Sequence, residues 1–239
     1  MATLDADIPS LSPSEHQVQL RRAVIASTIG TAIEWYDFFL YSVVTGLVFA
    51  KLFFPHSDPW VGTLEAFAIY AVGFVARPIG AAIFGHYGDR IGRKSTLIAT
   101  LLIMGLSPVA VGLVPGAATI GMAAPLILLT LRLVQGFAVG GEWAGAALLS
   151  AEYAPAEERG RYGMFTQMGV GSGLVMSSLM FLLVNQTIGE TSRAFLDWGW
   201  RIPFLFSAVL IVIALYVRLN VAETPVFAEQ QVHQGAPLA

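Results

Sequence analysis

Cysteine is absent from the 239 residues, which removes disulfides and thiolate chemistry and leaves the redox compartment open. Charge is nearly as scarce. Asp, Glu, Lys and Arg together make 12% of the chain, where a soluble domain carries about 25%. That deficit, with a mean hydropathy of +0.68, places the chain in a bilayer. Thirteen Lys and Arg face sixteen Asp and Glu, and a net charge of −3 leaves no basic footprint for nucleic acid. The four histidines, 16, 56, 86 and 233, are read as tail or loop positions. None is then available to activate Ser172 of "GVGSG" (169–173), which removes an intramembrane serine protease. A phosphate-binding loop is also missing: in "GRKST" (92–96) Arg93 interrupts the Gly-Lys pair, and no glycine lies five positions upstream. ATP, metals and cofactors are not expected, and nothing points to an enzyme.

What is present is long apolar runs. A helix rises about 1.5 Å per residue and the hydrocarbon core is about 30 Å thick, so about 20 residues cross it. The 37 uncharged residues between Lys94 and Arg132 are too many for one crossing, and Pro115-Gly116 is the natural turn. Six spans result, at about 23–54, 61–84, 95–114, 119–146, 162–184 and 199–219, in a transmembrane domain covering 21–220. Residues 1–20 form a polar tail with Asp5 and Asp7, unlike the basic start of a secretory signal, and 221–239 a second tail. Arg21-Arg22 is read as an anchoring pair rather than a twin-arginine signal, and the first helix as its own uncleaved targeting signal. Arg21, Arg22, Arg90, Arg93, Lys94, Arg159, Arg161 and Arg218 fall on one side; Lys51, Arg193 and Arg201 fall on the other. The positive-inside bias puts both termini in the cytoplasm. Arg201 and Arg218 are expected to snorkel to the two interfaces.

The segment "GHYGDRIGRK" (85–94) holds more than topology requires. Gly85, Gly88 and Gly92 imply a tight turn between helices. Asp89 is expected to favour a helix N-terminus, and Arg90, Arg93 and Lys94 to supply a basic fork. Such a cluster would latch helix ends together. The segment resembles the signature loop between helices two and three of the major facilitator superfamily. "RLVQGFAVGGEWAGA" (132–146), "PAEERGRYG" (155–163), "WGWRIPFLF" (198–206) and "AETPVF" (222–227) are similar to further motifs of that superfamily, in order. "TAIEWYDFFLY" (31–41), "VARPIGAAIFGHYGDRIGRK" (75–94) and "GGEW" (140–143) resemble the metabolite:proton symporters. Members of that group take organic acids such as shikimate or zwitterions such as betaine.

The resemblance implies an all-α membrane protein, one six-helix half of a transporter built from two inverted three-helix repeats. It implies proton-coupled symport of a small carboxylate or zwitterion across the bacterial inner membrane. The chain ends where the central loop would begin, so it reads as a truncated half, inactive alone or in need of a second half. A six-helix channel and a homodimeric half-transporter are the alternatives. "GMFTQMGVGSGLVMSSLM" lacks the proline of the antiporter motif, which favours symport.

Charges inside apolar runs are costly and mark functional sites. Glu34 and Asp37 share one face of helix one, where two close carboxylates at low dielectric suit a proton carrier. Arg132, Gln135, Val139 and Glu142 form a stripe on helix four, expected to face a watery cavity. Arg132 is the first candidate for a substrate carboxylate, with Arg77, Gln135 and Tyr41 beside it in the same role. Glu142 is either a third proton site or an arginine's partner. Glu65 is expected to be solvated, and glycines 136, 140, 141 and 145 to permit close helix packing.

Overall fold

Against lipid, backbone polar groups must be satisfied within the chain, so apolar runs of this length fold as helices. The computed structural model describes residues 13–221, and six helical spans are long and apolar enough to cross a membrane. Helix α1 (Pro13–Val44) continues through a π-helical turn (Thr45–Phe49) into a last turn, Ala50–Phe53. After it come α2 (Pro59–Ile91), α3 (Arg93–Leu113), α4 (Ala123–Tyr153), α5 (Arg159–Ile188) and α6 (Arg201–Leu219). No strand occurs among the described residues. The all-α architecture is as expected.

Several boundaries differ from expectation for local reasons. Helix α1 starts at Pro13 rather than Ala23, because Glu15 suits its first turn and Leu20 and Ala23 pack in a small apolar cluster with Tyr153 and Val221. His16 therefore lies on a helix, donating from Nε2 to the Tyr153 carbonyl at 2.9 Å, and His86 lies within α2. Asp58 caps α2 by accepting from the Trp60 amide at 3.0 Å, with Pro59 in the first turn. Between α3 and α4 the chain inserts a short helix, Ala117–Ile120, closed by Gly121. Helix α4 accordingly begins at Ala123 rather than 119. Glu65 is not simply solvated: its carboxylate accepts from Ser57 at 2.7 Å.

The 85–94 segment is mostly helix. Gly85 and Gly88 lie within α2, and only Gly92, at φ 102°, makes the turn into α3. Asp89 thus sits in the last turn of α2, not at the start of the next helix, because helical bonding runs on until Gly92. Arg90 is exposed there, where a cation suits a helix C-terminus. The side chains of Asp89 and Arg93 lie outside the described residues. Lys94 donates to the Leu219 carbonyl at 3.0 Å and Arg22 to the Asn220 carbonyl at 3.2 Å. Two cations from α3 and α1 thereby bind the C-terminal end of α6.

Helix α2 packs chiefly on α4, and α1 on α5; α3 touches α4 and α6, while α1 also touches α4 and α6. Exchanging the first three helices for the last three maps α1–α5 onto α4–α2 and α3–α4 onto α6–α1. That permutation is the signature of two inverted triplets. Both principal contacts depend on absent side chains. A Cβ on Gly140 would meet the Arg77 carbonyl and lie 2.8 Å from the Ala81 nitrogen; one on Gly173 would lie 2.6 Å from the Ala32 carbonyl. The backbones can approach this closely because nothing intervenes.

Gly140→Ala should therefore destabilise the bundle by about 1–3 kcal/mol, as overpacking does. Gly163→Ala, where a Cβ meets nothing within 4 Å, should be neutral or gain up to about 1 kcal/mol from helix propensity. Thermal unfolding in detergent separates the two; equal melting temperatures would show that the α2–α4 approach is not limiting.

Candidate intramembrane binding site

Three helices bring their charges to one place. Glu34 and Asp37, a turn apart on α1, are both buried. On α2, Tyr70, Phe74 and Arg77 fall at offsets 0, 4 and 7, which puts them on one face. On α4, Arg132 and Gln135 open the expected stripe.

Each arginine takes a carboxylate of α1. Arg77 Nη2 lies 3.6 Å from Glu34 Oε1, and Arg132 Nη1 lies 3.6 Å from Asp37 Oδ2. Gln135 bridges the second pair: its Oε1 accepts from Arg132 Nη1 at 2.7 Å, and its Nε2 donates to Asp37 Oδ2. Aromatic rings cover the cations. Arg132 Cζ is 4.4 Å from the Tyr41 ring centre and 4.8 Å from that of Tyr70, and those rings stack 5.5 Å apart. Arg77 Cζ lies 4.8 Å over Phe74. Such cation–π contacts replace part of the lost hydration. The cluster is neutral when all four groups are ionised. Within it Glu34 Oε2, Asp37 Oδ1, Tyr41 Oη and Arg132 Nε are buried without a hydrogen-bond partner.

The lower part of the α4 stripe departs from expectation. Arg132, Gln135, Val139 and Glu142 are all buried among helices rather than facing a watery cavity, since α1, α2 and α3 pack on α4 and Arg218 of α6 reaches Glu142. Glu142 does not join Asp37. It pairs with Arg218 of α6 and accepts from Thr100 Oγ1 of α3 at 3.0 Å, with Gly30 of α1 leaving room for both side chains. Arg218 is therefore buried, not snorkelling, because an uncompensated Glu142 at this depth costs more than burying its partner. Arg201, by contrast, is half-buried at the helix ends, donating to the Gly112 and Val114 carbonyls at 2.7 and 2.8 Å, where it caps α3. Sequence reasoning passed over Tyr70, Thr100 and the inward role of Arg218. The signal for Tyr70 was its place on the Arg77 face of α2; for Arg218, that Glu142 had no partner on its own helix.

The comparisons with known proteins bear on family and fold. A family model described as sugar (and other) transporter matches residues 23–236. The inner membrane metabolite transport protein YhjE of Escherichia coli K12 is 52% identical over 206 residues, covering 86% of this chain and 46% of the relative. The shikimate transporter of the same organism is 47% identical over 236 residues, covering 98% and 53%. The inward-open xylose transporter XylE from E. coli shares the fold, with a TM-score of 0.74 at 18% identity over 90% of this chain and 51% of that one. The chain spans about half the length of the relatives it matches. Those relatives are membrane transporters, not enzymes. The chain belongs to the sugar (and other) transporter family within the major facilitator superfamily, and corresponds to the N-terminal six-helix half of that fold.

Proposed function

We propose that this chain supplies the charged half of a secondary transporter that moves a small carboxylate or zwitterion with protons across the inner membrane. The observation that carries the reading is the neutral four-charge cluster of Glu34, Asp37, Arg77 and Arg132, held at membrane depth on three helices. Ionisable groups there are expensive unless function retains them. The guanidiniums offer planar forks that match a carboxylate, and Glu34 and Asp37 offer sites for protons. Gln135 and Tyr41 hold Arg132 in place. Glu142 fits a bracing role, since Arg218 and Thr100 occupy both its oxygens. Both termini are assigned to the cytoplasm from the arginine and lysine distribution. The segment with Gly85, Gly88, Asp89, Arg90, Gly92, Arg93 and Lys94 is assigned as the gating latch at that side, supported by the bond from Lys94 to α6.

Two experiments test this reading. The chain, joined to the second half of the E. coli shikimate transporter and placed in proteoliposomes, should accumulate shikimate or glycine betaine when the outside is made acid. Arg132→Lys should lower uptake about tenfold or more, because the charge stays but the bidentate fork is lost. Replacing the carboxylate that carries the proton, by Glu34→Gln or Asp37→Asn, should abolish accumulation and spare exchange. Unchanged accumulation by both Asp37→Asn and Glu34→Gln would remove the proton assignment. The bracing role of Glu142 is read from stability instead. Glu142→Gln, which strands Arg218, should cost about 3–5 kcal/mol, whereas Glu142→Leu with Arg218→Met should cost much less. A double variant no more stable than the single would show that the pair is not the reason for burying these charges.

A further inference from the structure

We infer that Glu34 and Arg77 form the exchange point between substrate and proton: an incoming carboxylate replaces Glu34 on Arg77, and Glu34 takes up the proton. The inference rests on the transport reading above and deepens it. The two ion pairs have the same chemistry but differ in access. The Arg77 side chain is 26% exposed, that of Arg132 only 5%. Arg132 is committed to both Asp37 and Gln135, and two tyrosine rings lie against it. An anion binding at its Nη1 would have to displace Gln135. Among the described residues Arg77 has one ion-pair partner, Glu34, at 3.6 Å, beyond hydrogen-bond length, and one ring, Phe74.

The surroundings of Glu34 determine its fate once a substrate has taken Arg77. The charged groups acting on it are Arg77 from α2, Glu142 from α4 and Asp37 from its own helix. Helix α5 meets α1 with Gly169 and Gly173, and α6 brings Arg218, which is bound to Glu142. Arg77 is thus the cation Glu34 depends on. With that cation occupied elsewhere, Glu34 is left as a buried anion beside two other carboxylates, and neutralisation is the available relief. The balance is simple. Arg77 as guanidinium and Glu34 as carboxylate, plus one substrate carboxylate and one proton from solution, become a guanidinium–substrate pair and a Glu34 carboxylic acid. The site remains neutral, one proton enters per carboxylate, and no second free guanidinium is left. The substrate class is therefore a monocarboxylate whose remaining body is uncharged or carries a compensating cation, rather than a dicarboxylate.

The test is calorimetric titration, in nanodiscs, of the chain joined to the second half of the E. coli shikimate transporter, with shikimate as probe and two buffers of different ionisation enthalpy. One proton should be absorbed per anion bound. Where free Glu34 is ionised, affinity should fall about tenfold per unit rise in pH, as linkage of one proton requires. E34Q should bind with no proton uptake and no pH slope, E65Q, a carboxylate outside the site bonded to Ser57, should keep both, and succinate should bind no tighter than shikimate. Wild-type binding without proton uptake, or full uptake in E34Q, overturns the exchange while leaving the carboxylate reading intact. Failure of shikimate and of glycine betaine alike to bind overturns that reading and the exchange with it. If E34Q does not fold, the wild-type proton count and pH slope decide the question alone.

Discussion

The pairing of Asp37 on α1 with Arg132 on α4 is the contact on which the rest of the site depends. A guanidinium or a carboxylate taken alone into an apolar interior carries a penalty of several kcal/mol. The pair is therefore tolerable only at the one rotation and depth of the two helices that brings the groups within 3.6 Å. That single requirement fixes α1 against α4. Once they are set, Gln135, one turn along α4, reaches the same carboxylate, and Tyr41, one turn along α1, lies against the same cation. The Glu34–Arg77 pair results from the same placement, because Glu34 is one turn before Asp37 and α2 is held on α4 by the close approach at Gly140.

The aromatic residues act on the same constraint from another side. Tyr41, Tyr70 and Phe74 present ring faces to the two guanidiniums, and Phe38 joins Tyr70 and Phe74 into one block between α1 and α2. Beyond Tyr41 the rings continue through Phe49 to Phe53, Trp200 and Phe204, all buried. This end of the bundle is closed by apolar packing. The opposite end is held by side chains donating to helix-terminal carbonyls, each such bond worth about 0.5–1.5 kcal/mol net. Each end combines the two kinds of contact: Arg201 caps α3 beside the ring cluster, and Leu20, Ala23, Tyr153 and Val221 pack together at the opposite end.

How much of this was legible in the sequence depends on whether a feature is local. Helices of about 20 residues or more announce themselves through apolar length. Glu34, Asp37, Arg77, Arg132 and Gln135 stand out because polar groups are rare in such runs. Pairing is not local. Glu142 and Arg218 lie 76 residues apart, and nothing in either helix alone says that they meet. Periodicity showed that Arg132, Gln135 and Glu142 share a stripe but not whether water or protein faces it, since a polar stripe serves both. The start of α1 was missed for a related reason: residues 13–22 are polar, and their helicity comes from packing on Tyr153 and Val221, which a run of apolar residues does not reveal.

The placement of the ion-pair partners also constrains how the bundle can move. Glu34, Asp37 and Glu142 find Arg77, Arg132 and Arg218 within the same six helices, and those pairs join α1 to α2, α1 to α4 and α4 to α6. The α2–α4 and α1–α5 contacts are backbone-close, and interfaces packed in this way do not deform continuously. Separating any two of these helices would strand a charge or open a void. Movement of the six helices as one body is therefore the displacement that keeps these contacts, and the counter-ion exchange proposed at Arg77 requires no helix to part from its neighbour. Chemistry at the site and motion of the bundle are in this way separable: the first changes which anion neutralises a cation, and the second leaves the internal contacts of the bundle in place.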